Sequence, residues 1–253
     1  MRALLPLFVG VACFAGAAAC AQPVAVTTTL GLESRYVFRG VQLAEASFQP
    51  AVQLGWSGAY LGVWANLPVG DEDFIVTPDW QEIDFVVGWS GAVAGPLSID
   101  IGMTYYAYPN RQSGFFDIYR EDGSGGGFNT AEPYIGFALN APLSPKLYAY
   151  HDFMFDTTTL QGALSHSIPL AEKLSADLSG VAGYVFDDAG GTDYLYGHLT
   201  ANFTYAISDT ASIYAGGRFG GSDIAGGSVY SDGVLGLTKP SGLWFGIGLT
   251  AKF

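Results

Sequence analysis

Three groups of residues in this chain could do chemistry: its histidines, its acids with a few arginines, and its tyrosines with tryptophans. A histidine beside a serine hydroxyl on one strand face is a compact nucleophile and base. Here His151 is followed two positions on by Phe153, His166 by Ile168 and His198 by Thr200. No His-x-Ser occurs, so local encoding of such a pair is absent and an enzyme is not expected. The glycine run Gly123 to Gly127 opens no helix, so it reads as a loop and not as a phosphate cradle. Cys13 and Cys20 stand only near the start, which leaves no thiolate zinc site further on. Asp71-Glu72-Asp73 and Asp187-Asp188 offer hard oxygen ligands that could hold calcium or magnesium against lipopolysaccharide. Their spacing matches no calcium motif, and solvated loop acids are the simpler reading. No cofactor and no metal are expected.

The acids and arginines follow a pattern. Glu33, Arg35, Arg39, Glu82, Asp84, Asp100, Glu132, Asp152, Asp156, Asp177, Arg218 and Lys252 fall on the polar parity of their segments. Tyr60, Trp64, Tyr106, Tyr134, Tyr148, Tyr150, Tyr194, Tyr196, Tyr214 and Trp244 share that parity. Such a face can attract cations through its carboxylates and stack polyhydroxy solutes on its rings. Equally, the arginines could pair with the acids in a structural network, because buried charges need partners.

The elements that must position these residues are strands. Along 25–39, Val26, Leu30, Leu32, Tyr36 and Phe38 share one parity, while Thr27, Thr29, Glu33, Arg35 and Arg39 share the other. Period two places successive side chains on opposite faces. The same alternation predicts twelve strands: 25–39, 46–57, 59–67, 80–91, 96–108, 130–141, 146–156, 157–168, 173–186, 193–206, 210–220 and 242–253. These lengths suit tilted membrane strands. Connections alternate between short turns and longer segments (40–45, 68–79, 109–129, 187–192, 221–241), with a break near Asp156-Thr157 as the exception. Short turns at one end and long loops at the other define an all-β, antiparallel, up-and-down transmembrane barrel. An even strand count puts both chain ends on the short-turn, periplasmic side. Trp56, Trp89, Tyr205 and Phe253 fall near short turns, and Phe38, Phe48, Phe155, Phe186 and Phe219 near long loops, as two interfacial girdles would. If the lumen has room, arginine at an inward glycine such as Gly102 or Gly248 is expected to be milder than at the outward neighbours Ile101 or Leu249.

Composition agrees. Of 253 residues, 49% are hydrophobic and 13% charged, and there are 35 glycines. That excludes a disordered chain. The net charge of −13 argues against nucleic acid as a partner. Met1-Arg2, the small apolar stretch Ala3 to Ala19 and Ala19-Cys20-Ala21 read as a secretory signal peptide over 1–21. Residues 22–253 then form the outer-membrane barrel.

A resemblance narrows this further. Ser34-Arg35-Tyr36-Val37-Phe38-Arg39-Gly40, then Gln49-Pro50-Ala51-Val52-Gln53, Gly62-Val63-Trp64-Ala65-Asn66 and Glu82-Ile83-Asp84-Phe85 resemble the TorF-type porin family of proteobacteria. These are outer-membrane proteins without an assigned function, so the resemblance implies location more than substrate. The final Phe253 on an alternating strand resembles the assembly signal of outer-membrane barrels, which implies the barrel assembly machinery as a partner. Outer-membrane lipid, lipopolysaccharide and small hydrophilic solutes complete the expected partners. The expected function is a porin-like channel preferring cations or neutral polyhydroxy compounds. Its lumen or constriction candidates are Glu33, Arg35, Arg39, Tyr60, Trp64, Glu82, Asp84, Asp100, Tyr106, Glu132, Tyr134, Tyr150, Asp152, Tyr196, Arg218 and Trp244. A plugged structural or binding barrel acting through its outer loops is the alternative, and an outer-membrane enzyme a lesser one.

Overall fold

Alternation of apolar and polar residues becomes a closed wall in the computed structural model, which describes residues 24–69, 81–109, 117, 129–224 and 242–253. The expected signal peptide, Asp71-Glu72-Asp73, Gly123 to Gly127 and most of segments 109–129 and 221–241 lie outside the described residues. In chain order the strands are β1 (Ala25–Glu33), β2 (Tyr36–Phe38), β3 (Val41–Ala44), β4 (Ser47–Trp56), β5 (Ala59–Pro68), β6 (Glu82–Ala94) and β7 (Leu97–Ala107). They continue with β8 (Thr130–Leu139), β9 (Lys146–Asp152), β10 (Thr157–Ala171), β11 (Leu174–Asp187), β12 (Tyr194–Ala206), β13 (Ala211–Ser222) and β14 (Gly242–Lys252). β1 and β4 to β14 form one closed antiparallel barrel, with β1 joined to β14 on one side and to β4 on the other. This is the twelve-stranded barrel that the periodicity predicts.

The faces sort by chemistry. On β14, Leu243, Phe245 and Ile247 are 54%, 57% and 55% exposed, whereas Trp244 between them is 6% exposed. On β12, Leu195, Leu199 and Phe203 point outward, while Tyr194, Tyr196, Thr200 and Asn202 are buried inside. A continuous outward apolar belt on a barrel is a lipid-facing surface. Short turns gather at one end. Trp56 pairs with Ala59 around Ser57 and Gly58, whose φ values of 50° and 87° give the two-residue turn that suits strand twist. Backbone hydrogen bonds of 2.9 Å in both directions between Val26 and Phe253 bring the ends of β1 and β14 together there.

The structure departs from the sequence reading at the first strand. It ends at Glu33 and not at residue 39, and Glu33 pairs directly with Ser47 of β4. Ser34 and Ala46 still bond to the wall at Phe245 and Val69, and residues 35–45 leave it. β2 and β3 pair only with each other, around a turn at Arg39 (φ 46°) and Gly40 (φ 77°). Phe38, expected in the outer girdle, instead packs inside, its ring 6.1 Å from that of Tyr106. Period-two alternation looks the same in a wall strand and in a hairpin arm, so it could not mark this exit.

Glycine and tyrosine content has a common cause. Tyr60 pairs across the ladder with Gly88, Tyr134 with Gly102, Tyr148 with Gly136, Tyr196 with Gly183 and Tyr214 with Gly248. In each pair the phenol ring lies against the wall where the glycine lacks a side chain. A Cβ on Gly102 would sit 2.5 Å from Tyr134 Oη, and one on Gly248 2.5 Å from Tyr214 Cε1. There is no spare room at these two inward glycines, so the space on which a milder arginine depends is already taken by the tyrosines. Gly136→Val is expected to lift Tyr148 off the wall at a cost of about 1–3 kcal/mol. Gly162→Val is the comparison, since the nearest atom to a Cβ there is 3.9 Å away. The midpoint of heat-induced unfolding in detergent, read on gels, checks this; equal midpoints for both variants would refute the packing account.

Candidate functional site

The interior is built from alternate residues of every wall strand together with the β2–β3 hairpin. At the long-loop end, Arg39 at the hairpin tip reaches Glu132 of β8, with Nη2 2.7 Å from Oε1 and 2.8 Å from Oε2. The guanidinium lies over the rings of Phe38 (4.8 Å) and Tyr150 (5.1 Å), and Tyr106 donates to Glu132 Oε2 at 3.0 Å. A cation nearly removed from water is held here by one bidentate carboxylate and two π faces. Beside this group, Glu82 and Asp84 face inward from β6 and are 1% and 8% exposed. The ring of Tyr36 on the hairpin packs 5.3 Å from that of Trp64. Burial, and then the charge of Glu82 and Asp84, push the Tyr36 phenol well above its ordinary value.

A second group lies toward the short turns. Asp100 accepts from Tyr60 at 2.7 Å and from Tyr148 at 3.0 Å, and Tyr60 Oη meets Tyr134 Oη at 2.5 Å. Tyr148 and Tyr150 stack at 5.6 Å, and Tyr134 lies 5.7 Å from Tyr150. A third group lines the opposite arc. Arg218 donates to Glu33 Oε1 and to Asn202 Oδ1, each at 3.0 Å, and His198 sits 6.3 Å from Trp244. Tyr196 donates to Gln161 at 2.7 Å.

Two of the expected lumen acids have mainly local work. Asp152 accepts from Thr130 Oγ1 (2.5 Å) and from the backbone of Met154 (2.9 Å) and Phe155 (3.0 Å), and so braces the turn that follows β9. Asp156 is exposed in that turn at φ 49° and does not line the interior. Arg35 is half-buried in the bend between β1 and β2. The other candidates, Glu33, Arg39, Tyr60, Trp64, Glu82, Asp84, Asp100, Tyr106, Glu132, Tyr134, Tyr150, Tyr196, Arg218 and Trp244, fall into the three groups above. Sequence reasoning passed over Tyr36 and Phe38, which carry apolar parity but turn inside with the hairpin. It also passed over Asn202, Gln161 and Lys146, which inward parity would have found.

Charge inside is uneven. Arg39 and Arg218 are each paired with a carboxylate. Near the long loops, Glu82 and Asp84 keep one oxygen each (Oε2 and Oδ1) with no hydrogen-bond partner among the described residues. Lys146 and Lys252 belong to the short-turn end of the inward face, with Lys146 acting electrostatically on Asp100. Among the described residues, no group of three or more His, Cys, Asp or Glu is placed to hold a metal ion.

Solved structures share this architecture. The KdgM porin in complex with disordered oligogalacturonate aligns with a TM-score of 0.55 at 10% identity, covering 90% of this chain and 99% of that one. The NanC porin aligns with a TM-score of 0.54 at 11% identity, covering 90% and 100%. At such identities the likeness is one of fold. No curated protein matches the chain in sequence. Residues 17–125 match a family model described as a bacterial protein of unknown function, Gcw_chp, without the TorF-type name. The chain therefore has the closed barrel fold of porins, with its first part similar to a bacterial family of unknown function.

Proposed function

We propose that the chain is an outer-membrane channel for small hydrophilic solutes that favours cations or neutral polyhydroxy compounds over anions. The carrying observation is that Arg39 and Arg218 are already paired with Glu132 and Glu33, while Glu82, Asp84 and Asp100 remain on the inward wall. Carboxylates along a low-dielectric wall attract cations and repel anions. The KdgM structure holds oligogalacturonate; the acid-rich interior here favours cargo of the other sign or none. The apolar outer belt supports a place in lipid, with export by the expected signal peptide over 1–21 and assembly through Phe253 as parts of the same proposal.

The reversal potential of the purified barrel in a planar bilayer under a salt gradient tests this. A cation-selective sign is expected, weakened by Asp84→Asn with Asp100→Asn and by raising salt toward 1 M, where the Debye length falls to about 3 Å. An anion-selective sign would overturn it and assign control to the arginines. A second reading, a plugged barrel acting through its outer loops, is favoured by the hairpin that crosses the interior; a folded barrel that never conducts would establish it.

A further inference from the structure

The β2–β3 hairpin is an insertion and not a piece of wall. β1 and β4 pair without a break from Ala25↔Gly55 to Glu33↔Ser47, so residues 34–46 begin and end at neighbouring points of a ladder that is complete without them. Neither arm joins the barrel sheet. Removing the hairpin from the interior would cost the wall no strand pairing.

Its tip nonetheless reaches both sides of the ring. Arg39 binds Glu132 on β8, reached through β5, β6 and β7. Gly40 touches β12 and β13 on the other side: its carbonyl accepts from Ser222 Oγ at 3.3 Å. A Cβ on Gly40 would lie 2.5 Å from Gly221 O and 2.8 Å from Tyr196 Cβ, so only glycine fits this contact at this φ. Val41 belongs to one buried apolar cluster with Val181, Val185, Tyr194 and Tyr196. The hairpin thus spans the interior at the level of Glu132 and Tyr196. A two-residue turn keeps it rigid, and a non-glycine residue, Arg39, occupies left-handed backbone at that turn. Such backbone is uncommon for a residue other than glycine and persists where the surroundings fix it. Here the bidentate pair with Glu132 does so.

We infer that this hairpin is a hinged plug, seated across the channel by the Arg39–Glu132 pair and swinging at residues 35 and 45 to open it, while Ser34 and Ala46 stay hydrogen-bonded to Phe245 and Val69. The inference rests on the channel reading above. In the seated state solutes are blocked; when the pair parts, the hairpin moves as a unit and the wall stays closed around an open lumen.

Single-channel recording on the full barrel tests both levels. Folding of each variant is verified by heat-modifiable migration on gels. Replacing residues 35–45 by Asn-Gly is expected to give a steady conductance several-fold above the time-averaged wild-type value. Glu132→Gln is expected to raise the open-to-closed ratio about tenfold or more, since removing one partner of a buried pair is among the larger single effects. Should the excised barrel fail to fold, the Glu132→Gln ratio decides. An unchanged ratio in Glu132→Gln, or an excised barrel conducting like wild type, would overturn the plug while leaving the channel in place. A folded excised barrel that never conducts would overturn the channel reading itself.

Discussion

Ile101→Arg is expected to destabilise the inserted barrel by about 2–4 kcal/mol, the cost of an arginine on the lipid face at mid-membrane. Ile101 lies midway along β7, 50% exposed on the outer face, between Ile135 of β8 and Trp89 of β6, which sits near the middle of its strand and not by the turn that ends it, where the sequence reading put it in a short-turn girdle. The guanidinium would have to snorkel past these apolar neighbours to reach a headgroup. Trp56→Arg, at a short turn, sits where the same charge meets the interface and should cost about 0–1 kcal/mol. Folding into lipid vesicles, followed through denaturant titration, gives both numbers. Equal costs at Ile101 and Trp56 would show that the strand midpoints do not lie at the bilayer centre.

Arg218→Ala is the second large effect. The pair with Glu33 has side chains only 7% and 11% exposed, and Arg218 also supplies the proton that Asn202 accepts. Truncating the cation leaves a buried carboxylate and an amide oxygen without their donor, which typically costs about 3–5 kcal/mol. Glu33→Gln placed in the Arg218→Ala background should return part of that loss, because the stranded charge is then gone. The double-mutant cycle therefore predicts strong coupling between the two positions. Additive losses would mean that the pair contributes nothing as a pair. The contrast with Arg39 is useful. Arg218 ties two wall strands, β13 to β1 across β14, so its loss should lower stability; Arg39 ties an insertion to the wall, so its loss should change gating first.

Much of the wall was legible because the bilayer imposes a binary code on it. A strand such as β14 must alternate Leu243, Phe245 and Ile247 with Trp244 and glycines, and no other element carries that pattern for so long. The inward position of Glu82, Asp84, Asp100 and Glu132 follows from the same code, since charges on the other face would meet lipid. Two things were not legible. The identity of ladder partners was hidden, so the fit of Tyr134 on Gly102 could not be seen from either residue alone. The exit of the chain at Ser34 was hidden too, because Tyr36 and Phe38 prolong the alternation of β1 while the backbone has already turned inside. The motif Ser34 to Gly40, which carried the resemblance to a known family, therefore lies in the inserted hairpin and not in the wall, apart from the start at the bend.

The seam between β1 and β14 sets the order of assembly. It joins Thr29 to Thr250, residues 221 apart in sequence, whereas the other wall seams join neighbours in the chain order of the wall strands. Hairpin-type seams can zip from their turns with little loss of chain entropy, but a contact of that span must wait until nearly the whole chain is gathered. Closure is then the slow, late event, and until it happens the outer edges of β1 and β14 are two unpaired strands that can add to another chain. A barrel of this connectivity is most vulnerable to misassociation just before it shuts, and whatever holds those two edges apart from other copies governs its yield.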